Sequence, residues 1–142
     1  MNLDTEQFVM TLLRSMSEAV VYADEEGRIQ YWNAGAERIF DYAASDALGQ
    51  ALDIIIPRSL RGRHWEGYRR TMQTGTTRYC AGDLLAVPAT RRDGSRIPIE
   101  FTVTPFHDLS GKILGIAAII RDASTRFEEM KALRQRAAAA SG

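Results

Sequence analysis

Residues 91–106 run Arg91-Arg92-Asp93-Gly94-Ser95-Arg96-Ile97-Pro98-Ile99-Glu100-Phe101-Thr102-Val103-Thr104-Pro105-Phe106. Asp-Gly accepts the positive φ of a tight hairpin turn, so Arg91 to Gly94 predicts a reversal of the chain. Beyond it Ile97, Ile99, Phe101 and Val103 take every second position against Glu100, Thr102 and Thr104, the period of a strand with one face on a core. Thr77 to Thr90 carries a strand pattern on the other side of the turn, which makes the region a β-hairpin. Asp108 to Lys112, with Ser110-Gly111, predicts the next turn. Ile113 to Ile120 is then too apolar for an edge strand and belongs at the centre of a sheet. From Ser124 the pattern becomes helical, with Phe127, Met130 and Leu133 before an alanine run.

Upstream, Thr74-Gly75 stops a helix that runs from about Arg58 to Gln73, with Pro57 suited to its first turn. Leu60, His64, Tyr68 and Met72 are four apart and share one face of it. The apolar run Leu52, Ile54, Ile55 and Ile56 precedes Pro57, and Ser45 to Gly49 reads as a capped helical turn. Asn33 is a helix cap for Ala34 to Phe40, whose Ile39 and Phe40 should point inward. Glu18 to Ala23 and Arg28 to Trp32 are strands on either side of the turn Asp24-Glu25-Glu26-Gly27. A first helix, capped by Asp4 or Thr5, draws Phe8, Val9, Leu12, Leu13 and Met16 into one stripe. The fold class expected is α+β: a five-stranded antiparallel sheet with helices on one face.

A chain of 142 residues with 45% apolar and 25% charged residues is the size and composition of one folded domain. Lys plus Arg and Asp plus Glu balance at 18 each, which removes the positive field that drives direct nucleic-acid or acidic-membrane binding. Arg58, Arg61, Arg63, Arg69 and Arg70 nevertheless crowd one segment with Glu66, as a solvated helix face or an anionic-ligand site would. Cys80 is the single cysteine, so disulfides within the chain and multi-cysteine zinc or iron-sulfur sites are excluded. No run approaches the ~20 apolar residues of a membrane span, and Met1 to Gln7 is too acidic and polar for a secretory signal. A cytoplasmic domain is expected.

Catalysis is not expected. No nucleophile elbow, phosphate loop or dinucleotide fingerprint occurs, and Asp24-Glu25-Glu26 reads as a turn rather than a catalytic carboxylate pair. His107, between Phe106 and Asp108 at a turn, should face solvent, and with His64 it lacks the close spacing of a zinc pair.

Specific residues add a resemblance. Trp32-Asn33 followed by Ala36, Glu37 and Phe40, then Gly49, then Arg92-Asp93-Gly94-Ser95 with Pro98 and Glu100, then Gly115 leading to Arg121-Asp122-Ala123-Ser124, together resemble the PAS family. The resemblance covers Glu18 to Thr125. It implies a flanking helix over residues 1–17, a PAS core over 18–123 and a signalling helix and tail over 124–142. It also implies a pocket between sheet and helices for haem, flavin or a small metabolite, or else a packed core used for dimerisation. The exit helix would carry the state to a downstream kinase, cyclase or DNA-binding domain.

Within the family, Arg61-Gly62-Arg63-His64 with Tyr68 one turn later is similar to the haem-binding oxygen sensors. The similarity implies His64 as the ligand of haem iron, Arg70 as the partner of a haem propionate, and Cys80, Phe101 and Val103 as the distal wall. Leu85 stands where those sensors carry an arginine that contacts bound oxygen. Haem b is thus the leading cofactor. Flavin is disfavoured, because a light-sensing PAS domain needs a helical cysteine and Cys80 lies in a predicted strand. Three alternatives stay open. His64 is a partly exposed helix residue in haem-free PAS domains, and a wall of Leu52, Ile55, Phe101, Val103 and Ile119 would suit an apolar metabolite. The flanking helices, with apolar stripes at Phe8, Leu12 and Met16 and at Phe127, Met130 and Leu133, would suit a homodimer.

Overall fold

The computed structural model describes residues 2–79 and 82–141. In chain order the elements are α1 (Thr5–Ser15), β1 (Ala19–Asp24), β2 (Ile29–Trp32), α2 (Ala34–Phe40) and α3 (Ala44–Ala47). Two 3-10 turns follow, Leu52–Ile55 and Arg58–Leu60, and then α4 (Arg61–Thr74), β3 (Leu85–Thr90), β4 (Arg96–His107), β5 (Ile113–Asp122) and α5 (Ser124–Ser141). The strands form one five-stranded sheet in the order β2-β1-β5-β4-β3, antiparallel throughout, so β5 is central as its continuous apolar run requires.

Alternation sorts the two faces. Ala19, Val21 and Ala23 of β1, Ile29 and Trp32 of β2, Ile99 of β4 and Ile120 of β5 point to the helices and are buried with Ala36, Phe40, Ala47 and Ile55. Phe40 is fully buried, as the inward end of α2 was expected to be. On the other face Val20, Ile119 and Thr102 lie side by side in the register, and Ile119 is 46% exposed. Ile119 is therefore no part of an inner pocket wall. In a strand as uniformly apolar as β5, composition does not tell one face from the other.

The strand expected over Thr77 to Thr90 is shorter, beginning at Leu85 opposite Phe101. Before it, the Thr76 and Tyr79 amides donate to the hydroxyls of Thr74 and Thr77, local bonds that compete with a ladder, and Gly82 has φ +86. The expected strand position of Cys80 lies outside the described residues.

Asn33 fastens the N-terminal half. Its Oδ1 accepts from the Ala36 amide at 3.0 Å, capping α2, and from the Val20 amide at 2.8 Å. Its Nδ2 donates to the carbonyls of Leu13 at 2.8 Å and Glu18 at 3.1 Å. One side chain, 4% exposed, so joins α1, β1 and α2 with its whole donor and acceptor capacity in use. No residue of α1 is buried. Phe8, Val9 and Leu12 stand exposed on it, as do Phe127, Met130 and Leu133 on α5.

Candidate functional site

Helix α4 crosses one end of the sheet and is tied down at three places. Near its start the Trp65 indole donates from Nε1 to Asp53 Oδ1 at 2.7 Å and lies on Gly27. A Cβ at Gly27 would come within 2.2 Å of the indole ring, and φ there is +78, so glycine meets both the close approach and the turn. In the middle the buried Tyr68 hydroxyl donates to the Asp24 carbonyl at 2.5 Å, with the Ala23 carbonyl at 3.3 Å. Burial raises the phenol pKa far above its usual value, and Asp24 adds to the effect, so this hydroxyl stays a donor. At the end Gly75 closes the helix in the left-handed region, and its carbonyl accepts from His107 Nε2 at 2.7 Å. His107 is exposed, as its turn position suggested, and it also caps α4.

His64 lies just before the first of these anchors and packs on the first two. Its ring packs edge-on to Trp65 at 4.8 Å and beside Tyr68 at 5.6 Å between centroids. Nδ1 is buried and has no hydrogen-bond partner among the described residues. Burial lowers the imidazole pKa, against a smaller opposing pull from Asp53. A desolvated imidazole held neutral, with a nitrogen left without a partner, is chemically a metal or polar-ligand donor.

The other expected site residues divide. Leu85 and Phe101 face each other across β3 and β4, and Val103 lies opposite Ala118 of β5; all three are half-buried on the face of the sheet that looks toward the helices. Val87, paired with Ile99 on that face, is 41% exposed, so the helices leave the β3 side incompletely covered. Arg70 is not gathered into this set: it is exposed and pairs with Glu66 at 3.5 Å, one turn away on α4. Cys80 lies outside the described residues. Leu85, Phe101 and Val103 thus share the helix-facing side of the sheet and His64 lies on α4, while Arg70 faces solvent.

The alternation along β4 puts Glu100 on its polar side, away from Ile99 and Phe101. It is a buried carboxylate, 7% exposed, held by Arg121 and Arg126. Beside it a groove of about 270 Å³ on the outer face is lined by Met16, Glu18, Leu84, Thr102, Ile119 and Arg121. No helix among the described residues is long and apolar enough to cross a membrane.

The sequence profile of the family described as PAS fold matches residues 13–128. An uncharacterised protein of Azorhizobium caulinodans is 36% identical over 123 residues, covering 86% of this chain and 16% of its own length. The oxygen sensor protein DosP of Escherichia coli is 29% identical over 128 residues, covering 90% of this chain and 16% of its own length. The chain thus spans 16% of the length of either relative. The crystal structure of the PAS domain of a protein from Colwellia psychrerythraea superposes with a TM-score of 0.72 at 19% identity, over 86% of this chain and 99% of that one, a likeness of fold.

Proposed function

The chain belongs to the PAS fold family, and from that membership we propose that it is a sensory and signalling module without catalytic chemistry. It binds a small ligand or cofactor between α4 and the sheet and relays its state through the terminal helices to a partner or output domain. The observation that carries a ligand is His64: a buried imidazole nitrogen with no partner among the described residues and a lowered pKa costs stability unless something completes it. Haem b is the group this donor fits best, and when bound it supplies an iron able to take up a gas ligand.

The chain's own residues have distinct parts in this proposal. His64, kept neutral by burial, would hold the group through a ring nitrogen. Trp65 and Tyr68, bonded to Asp53 and Asp24, fix the helix that carries it. Leu85, Phe101 and Val103 would give the ligand an apolar wall on the sheet. Leu85 has no side-chain donor, so polar stabilisation of a gas ligand is not expected from that position. The domain is placed in the cytoplasm, with residues 18–123 as the sensing core and 1–17 and 124–142 as flanking helices. The test is an absorption spectrum of the purified chain: a Soret band that His64→Ala abolishes supports the assignment. A colourless chain that also refuses added haemin overturns it.

A second proposal rests on the exposed stripes. Phe8 and Leu12 are 55% and 50% exposed on a helix none of whose residues is fully buried, which suits a homodimer formed through the flanking helices, with or without a ligand. Dimers in light scattering that become monomers in Phe8→Asp/Leu12→Asp support it, and a monomeric parent chain rejects it.

A further inference from the structure

We propose that Glu100 is a latch that sets how α5 leaves the sheet, and that it links the inner wall of the site to that helix. The proposal rests on the relay reading above in so far as α5 is the output element.

Glu100 belongs to the face of β4 away from the helices, where a carboxylate would ordinarily be solvated, yet its side chain is only 9% exposed. A carboxylate this withdrawn from water needs partners. It has two, from different elements. Arg121, at the end of β5, donates from Nη2 to Oε2 at 3.2 Å. Arg126, in the first turn of α5, places Nη1 between both oxygens, 3.2 Å from Oε1 and 3.1 Å from Oε2. Two residues earlier on β4 the Pro98 carbonyl accepts from the Ala123 amide at 2.9 Å. Helix α5 follows β5 in the chain, but the residue before it is fastened to β4 at Pro98 and its first turn at Glu100.

That attachment has a consequence for the site. Phe101 adjoins Glu100 in sequence and points to the opposite face of the same strand, on the inner wall. A ligand that displaces Phe101 must shift or twist β4 at that point, and the carboxylate on the other side moves with it. The Arg121 and Arg126 side chains are 54% and 66% exposed and can be solvated if released, whereas the Glu100 side chain, 9% exposed, cannot. The pair is therefore asymmetric: Arg126 can let go while Arg121 keeps Glu100 paired.

Hydrogen exchange on the whole chain tests this, and Arg126→Gln is the decisive variant because Arg121 still satisfies Glu100, so folding is preserved. Arg126→Gln and Glu100→Gln should each speed exchange of the amides of 127–133 by about tenfold, with β1 and β5 unchanged, the double variant no faster than either single one and Arg126→Lys partly restored. Unchanged exchange in α5, or acceleration spread evenly over the sheet, overturns the latch. Because this measurement needs no ligand, failure of ligand binding elsewhere leaves its outcome readable. A working latch in a chain whose α5 ignores ligand would count against the relay alone.

Discussion

The hydroxyl of Tyr68 meets the main-chain carbonyl of Asp24 at 2.5 Å, binding the middle of α4 to the end of β1. Tyr68 is buried, so its replacement by Phe leaves two strand carbonyls facing a ring edge where they had a donor. Tyr68→Phe should cost about 1–2 kcal/mol, read as a lower urea midpoint with an unchanged slope.

Asn33 makes four hydrogen bonds to three elements, and Asn33→Ala removes all of them from a buried position. The expected loss is about 2–4 kcal/mol in chemical denaturation. Asn33→Asp keeps the acceptor for Val20 and Ala36 but faces the Leu13 and Glu18 carbonyls with another oxygen, and should fare no better.

At Gly27 a methyl group would meet the Trp65 indole and require a left-handed backbone. Gly27→Ala should lose about 2–4 kcal/mol, and the same change in a Trp65→Ala background should cost less, because the steric part is gone while the backbone part remains. Thermal melts of the four proteins check both statements.

How much of this was legible beforehand depended on whether a residue's partner was close in sequence. The turn at Asp93-Gly94 and the Asn33 cap were readable because φ preference and cap chemistry are local. Central placement of β5 followed from its unbroken apolar run. The face on which Ile119 lies did not, since in such a run either parity looks equally apolar, and only pairing with Thr102 and Val20 decides it. The early start expected for β3 failed at threonines that bond their own neighbours. The face shared by His64 and Tyr68 was visible from four-residue spacing. The lack of a partner for His64 Nδ1 among the described residues and the burial of Glu100 depend on tertiary neighbours, to which a period along the chain is blind.

His64 makes stability depend on pH in a definite direction. Its folded pKa lies below the ordinary 6.5 because burial disfavours the cation, so between the two values the unfolded chain holds more protons. The stability it allows is fully present above pH 6.5 and declines as pH falls from there toward the folded pKa. Urea midpoints measured between about pH 7.5 and about pH 5.5 should fall in the parent chain and fall less in His64→Leu, which has no proton to take up.

Titration of the purified chain with haemin, followed by its absorption spectrum, tests a ligand-binding sensor at His64 most directly. The account predicts a saturable Soret band at one haem per chain that His64→Ala loses while keeping its fold by circular dichroism. A parent chain that takes up no haemin, or a His64→Ala variant with the same band, would contradict it.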